Sequence, residues 1–282
     1  MMITTITKND LERVLPIAMS SQNGIYEMAQ PEMMNQLCIY NMELLGEEGD
    51  KLIEESGTNS ILYYNYLRLV ASSAFLQLMR QMDLVLTPTG FGVVSNDNLS
   101  PASKQRVDAL ENQLRKTQYI SKAYVILFLR GEAWGKTQQA KDNIPYMYDE
   151  YDYFVRHDYN DNNDVDGWLK VQQALKDADM YLRQKISDEQ LDIILSAYRT
   201  KGTADYDNYY SIIGNIRSFY QVWAFRSPEI AKQTPMRLIL SKLENVNNAE
   251  LYKTYLESDA YKINHHESFQ NTKDSSAFFF NG

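Results

Sequence analysis

The sequence holds a single cysteine, Cys38, among 282 residues, so no intrachain disulfide can close and a cysteine-based zinc site would lack its partners. A reducing compartment fits that composition. Positive charge is also short, with 28 Lys and Arg against 37 Asp and Glu for a formal net charge of -9. The whole chain therefore lacks the electrostatic footprint of a protein that grips a phosphate backbone. Long apolar runs are missing too. The longest, Ala123-Tyr124-Val125-Ile126-Leu127-Phe128-Leu129, stops at Arg130, far short of the roughly 20 residues that span a bilayer. Met1 to Asp10 lack the basic region and apolar core of a secretory signal, so the expectation is synthesis in the cytoplasm with no membrane association. Tryptophan is scarce, at 3, whereas tyrosine reaches 21. Tyrosine combines contact area with a polar tip, which tilts the expectation toward protein contacts.

The periodicity is mainly helical. Asn9 is read as the cap of a short helix over 8–20 that Pro16 interrupts, and Pro31-Glu32 as the start of a second helix ending at Gly46. Gly46-Glu47-Glu48-Gly49 reads as a turn. From Asn59 the series Leu62, Tyr66, Leu69, Val70, Phe75, Leu78, Met82 runs without Gly or Pro, a helix of about 35 Å at 1.5 Å per residue. After it, Leu84-Val85-Leu86-Thr87 and Phe91-Gly92-Val93-Val94-Ser95 flank Pro88-Thr89-Gly90, a β-hairpin pattern over 84–95. Ser100 and Pro101 then introduce a second long helix reaching Arg130. Two strands alone are marginal in water and have two unpaired edges, so the hairpin needs support from a helix of the same chain or from a neighbouring subunit.

The polar stretch from Gly131 to Asn143 is read as a boundary. Beyond it lie the acidic aromatic segment Tyr146–Phe154, of unassigned structure, and expected helices at 167–185, 188–200, 205–225, 228–243 and 248–260, with a kink at Pro235. The expected architecture is a mainly α protein, a helical bundle with a β-hairpin inserted between two long helices. It divides into an N-terminal helical lobe over 1–135 with the hairpin at 84–95, a C-terminal helical lobe over 144–262, and an extended arm over 263–282 ending in Phe278-Phe279-Phe280.

Chemistry-bearing patterns are weak. Asn162, Asp164, Asp166 and Gly167 match four positions of a calcium loop, but Gln173 stands where the bidentate Glu belongs and Lys170 at the ninth position. Capping of the next helix by Asp166 is the preferred reading. His265 and His266 are adjacent, so their rings diverge. His157 stands among Asp158, Asp161 and Asp164 with no nucleophile near in sequence. Asp149/Glu150 and Glu47/Glu48 read as solvated charges, and Lys104, Arg106, Arg115, Lys116 and Lys122, interleaved with Asp108 and Glu111, as a mixed-charge exposed helix face. No catalytic residue, cofactor or metal follows from these patterns, and the chain reads as a non-enzyme.

The segment Leu86-Thr87-Pro88-Thr89-Gly90-Phe91-Gly92-Val93-Val94-Ser95-Asn96-Asp97, with Ser100 to Val107 after it, resembles an uncharacterised family of phage and prophage proteins from Bacteroides-type hosts. Ala204 to Phe219 and Asn271-Thr272-Lys273-Asp274 are similar to that family's second-half motif and C-termini. Those proteins resemble head–tail connectors, the adaptors of the virion neck. The resemblance implies a non-enzymatic virion protein forming a homo-oligomeric ring, contacting portal on one side and tail or neck proteins on the other, with DNA present only as passage through the lumen. A phage-encoded cytoplasmic scaffold or regulatory protein absent from the particle is the alternative. The candidate contact residues are Leu86, Pro88, Gly90, Phe91 and Val93 of the hairpin and Phe278, Phe279 and Phe280 of the arm.

Overall fold

Helix α1, Lys8–Val14, starts at Thr7 rather than Asn9. The Thr7 hydroxyl accepts from the Asp10 amide at 3.2 Å, and the Asp10 carboxylate accepts from the Thr7 amide at 3.1 Å. This reciprocal cap satisfies two amides that the first turn leaves open. The computed structural model describes residues 5–15, 24–79, 84–87, 90–93, 103–157 and 164–265, with the backbone alone for 84–87 and 90–93.

Helix α2, Gly24–Tyr40, carries Pro31 in its interior instead of beginning there. The lost amide bond is offset by burial of Ala29, Met33 and Leu37, whose face packs on helix α4, Ile61–Leu78. A single π turn, Asn41–Leu45, follows, and Gly46 then redirects the chain at φ +59° into helix α3, Gly46–Ser56. The expected turn at Gly46–Gly49 is thus the first turn of a helix, where Glu47 and Glu48 sit at its positive end. Gly49 is there for packing: a Cβ on it would lie 3.3 Å from the Trp134 ring.

Helix α4 is the centre of the first half. Leu62, Tyr66, Leu67, Leu69, Val70, Ala71, Ala74 and Phe75 are all buried, on every side of the helix, as befits a helix apolar all round. Helices α1, α2 and α5, Lys104–Leu129, pack around it. A polar clamp fixes three of these. Gln118 on α5 donates to the Ser73 hydroxyl on α4 at 2.8 Å and to the Tyr40 hydroxyl on α2 at 3.1 Å, and the two hydroxyls are 2.9 Å apart.

The segment 131–143 contains two short helices, α6, Glu132–Gly135, and α7, Gln138–Asn143. Trp134 is fully buried and donates to the Leu44 carbonyl at 2.9 Å, while Asn143 donates to the Glu43 carbonyl at 2.8 Å. After the short α8, Glu150–Phe154, the second half gathers on helix α11, Ala204–Phe225. Helices α9, Val165–Ile186, α10, Asp188–Arg199, α12, Pro228–Ala231, and α13, Thr234–Leu243, surround it. The helix expected over 228–243 breaks at Lys232–Gln233, ahead of Pro235. The one expected over 248–260 is instead a 3-10 turn at Val246–Asn248, then α14, Lys253–Leu256, and α15, Asp259–Asn264. Here the Tyr255 amide donates to the Gln190 side chain at 3.1 Å, a tertiary bond that competes with helical pairing.

The expected fold class, a helical bundle with an inserted β-hairpin, is corrected to all-α. Where side-chain packing is described, 81% of residues are helical and none is in a strand. Between α4 and α5 the backbone pairs antiparallel over Leu84–Thr87 and Gly90–Val93, with Leu84 opposite Val93. Among the described residues, Tyr66, Tyr148, Tyr153, Tyr198, Tyr220, Tyr252 and Tyr255 are core residues rather than surface contacts. Among the described residues no helix is long and apolar enough to cross a membrane.

Candidate functional site

The densest chemistry lies where the acidic aromatic segment meets both halves. Tyr153 and Phe154 are buried. Phe154 stacks on Tyr119 of α5 with centroids 5.1 Å apart, and Tyr153 lies 5.2 Å from the Trp168 ring of α9. Seating these rings draws the neighbouring carboxylates inward: Asp149 is 7% exposed, Glu150 6% and Asp152 2%. The expectation that Asp149 and Glu150 are solvated is therefore corrected. Asp149 caps α8, accepting from the amides of Tyr151 at 3.0 Å and Asp152 at 3.2 Å, and its own amide donates to Asp152 at 3.4 Å.

Buried carboxylates demand partners, and these come from distant sequence. Arg217 of α11 donates to Asp152 Oδ1, and Arg156 reaches the same oxygen at 3.4 Å. Arg130, at the end of α5, lies 3.9 Å from Asp149 Oδ2, stacks its guanidinium 3.9 Å over the Tyr198 ring and donates to the Tyr198 carbonyl. The Tyr198 hydroxyl donates to Asp149 Oδ2 at 3.3 Å. Glu150 turns the other way and meets Lys122 at 3.5 Å. Lys122 thus departs from a purely exposed charged face, whereas Arg115 pairs with Glu111 at 2.8 Å along the same helix.

The electrostatics follow from this crowding. Burial, then the charge on Asp149, pushes the Asp152 carboxyl up to about 7, against the pull of Arg217 and Arg156. Burial and Asp149 raise the Tyr198 phenol well beyond its usual range. Lys201 is held below the usual ammonium range by burial and by Arg130 and Arg217. A carboxyl poised near neutrality has the proton affinity of a general acid–base, yet both carboxylates here are engaged by backbone amides and guanidinium groups. Structural ion-pair networks produce the same shift.

Two concavities adjoin the cluster. A cavity of about 70 Å3 is bordered by Arg130, Arg156, Lys201, Arg217, Asp149 and Asp152. A more open cleft of about 420 Å3 lies beyond Glu150, against Lys122, Tyr148, Trp168 and Lys176.

Of the residues singled out in the sequence, Pro88, Phe278, Phe279 and Phe280 lie outside the described residues, and for Leu86, Gly90, Phe91 and Val93 only the backbone is described. Asn162 and Asn163 of the calcium pattern, Asp158 and Asp161 beside His157, and His266 are also outside them. Asp164, not Asp166, caps α9, accepting from the Gly167 amide at 2.6 Å. His265 meets the Tyr261 carbonyl at 3.0 Å through Nδ1 and lies 3.5 Å from Glu244. No group of three or more His, Cys, Asp or Glu is placed to hold a metal ion among the described residues. The acid–arginine cluster itself went unread in the sequence. Its available signal was a cation set in apolar surroundings, Arg130 after Val125–Leu129 and Arg217 between Ile216 and Phe219.

A family of unknown function, DUF6712, matches residues 25–144. No curated protein matches the chain, and no solved structure does. The similarity therefore covers α2 to α7, the part of the chain organised around α4.

Proposed function

We propose that this chain is a non-enzymatic phage virion protein, a head–tail connector that forms a ring between portal and tail. The observation that carries the reading is the outer face of α2. Met28, Pro31, Met34 and Cys38 recur three or four residues apart, Met42 continues the line, and Met28, Met34 and Met42 are 59%, 49% and 61% exposed. The opposite face already packs on α4, so α2 is apolar on two sides with one covered. A methionine-lined surface adapts readily to a partner.

A second apolar patch supports closure into a ring. Ile61, 61% exposed, and Phe128, 44% exposed, line a groove with Leu52 and Leu62. Head-to-tail association requires two different surfaces on one protomer, and the α2 face and this groove are proposed as that pair. The acid–arginine cluster fits the same reading as an internal brace, joining α5, α8 and α11 so that contact forces on one half reach the other. The resemblance of Leu86–Asp97 to phage proteins supplies the setting, and Phe278, Phe279 and Phe280 are proposed as a further contact with a neighbour.

Mass spectrometry of purified particles tests the setting. Recovery of this chain in the particle at a copy number comparable to portal supports a connector. Its absence from particles of a host that expresses it supports a cytoplasmic scaffold instead.

A further inference from the structure

The cavity beside the acid–arginine cluster is bordered by cationic groups that the brace leaves unused, Lys201 and the Nε–H groups of Arg130 and Arg217. Arg156, Asp149 and Asp152 border it too, and Arg156 is engaged with Asp152 and with a further partner. Asp149 shares its acceptors among two amides, the Tyr198 hydroxyl and Arg130, and Asp152 is bonded by Arg217, Arg156 and a backbone amide. Lys201 pairs with no carboxylate among the described residues. The Nε–H groups of Arg130 and Arg217 are both buried with no acceptor among the described residues, and the Arg130 side chain is only 7% exposed. Unmet guanidinium donors in the interior are costly unless something accepts from them. The volume, about 70 Å3, holds a few waters or one small polyatomic ion.

We propose that this cavity is a binding site for a small oxyanion, a phosphate or carboxylate group, gripped by Arg130, Arg156, Lys201 and Arg217. Guanidinium groups suit this ligand because their planar donor sets match the spacing of its oxygens. The phenols of Tyr151 and Tyr206 border the same space and offer neutral donors. Lys201 sits in the turn between α10 and α11, where Gly202 at φ +87° reverses the chain. The site therefore draws on α5, α8, α11 and that turn together, and an ion bound there ties the two halves of the chain.

Isothermal titration of the full chain with inorganic phosphate, and separately with acetate, at fixed ionic strength tests this. Saturable one-to-one binding of either ion is expected, and the ion that binds identifies which oxyanion the cavity takes. Lys201→Gln, at an exposed position, removes one charge-assisted contact and should weaken binding about tenfold or more, while Lys201→Arg keeps it. Arg156→Gln, at a half-exposed position, serves as a second variant, with unchanged circular dichroism as the check on folding. Absence of saturable binding by both ions, or binding that Lys201→Gln and Arg156→Gln leave unchanged, overturns the proposal.

Discussion

Gly135 lies against the backbone of Arg199, so close that a Cβ on it would stand 2.6 Å from the Arg199 carbonyl oxygen. The contact joins α6 to the end of α10, and its neighbour Trp134 is anchored on the Leu44 carbonyl. One short segment thus touches both halves through backbone. Gly135→Ala must push that backbone apart, and overpacking of this kind costs about 1–3 kcal/mol. Urea denaturation should show a lower midpoint with an unchanged slope.

The Asp152 carboxyl gives a pH dependence of definite sign. In the folded chain it keeps its proton up to about pH 7, whereas its ordinary value is 3.8. Between those values the native state binds more protons than the unfolded state, so stability falls as pH rises through that window and levels off above it. Denaturation midpoints between pH 4 and 8 measure the slope. Asp152→Asn, which cannot ionise, should flatten it; a slope that survives the substitution would assign the effect elsewhere.

Asp179 on α9 is a further buried acid, and both of its oxygens are engaged. The Tyr220 hydroxyl donates to one oxygen at 2.7 Å and Arg183 to the other at 2.7 Å, and Arg183 also reaches Asp188 at 3.1 Å and Asp192 at 3.0 Å. Tyr220→Phe removes a hydrogen bond to a charged group while Arg183 stays in place. The expected loss is about 1.5–3 kcal/mol, read by thermal or chemical denaturation.

The two apolar patches make a paired prediction. Met34→Lys on α2 and Phe128→Lys in the groove should each abolish ring formation while leaving the helical circular dichroism intact. Mixed together, the two variants retain one intact contact, so native mass spectrometry should find a capped heterodimer and nothing larger. Rings persisting in either single variant would exclude that patch from the interface.

The long helices were legible because their signals are local. Ser60 caps α4, Ser187 caps α10, and the apolar repeats of α5, α9 and α11 span whole elements. Helix α2 was misread at Pro31 because tertiary packing of Ala29 and Met33 on α4 outweighs the local cost of proline. Gly46 and Gly49 read locally as a turn, whereas Gly46 is required by its positive φ and Gly49 by close packing against Leu45 and Trp134. The acid–arginine cluster was invisible for a related reason. Asp149 and Glu150 read as solvated and Asp152 carries no reading, because Arg130 and Arg217 arrive at Asp149 and Asp152 from distant helices and no local pattern records that meeting. The hairpin pattern at 84–95 is local and matches the backbone pairing of Leu84–Thr87 with Gly90–Val93, but a local pattern does not set the class of the whole fold. The body here is helix on helix.

Mass photometry of the purified 32.8 kDa chain, alone and mixed with the portal protein of a phage proposed to encode it, tests the connector proposal most directly. The account predicts closed multiples of the chain mass, formed alone or seated on portal, that disappear in Met34→Lys. A chain that stays monomeric in both conditions, with portal unshifted in mass, would contradict it.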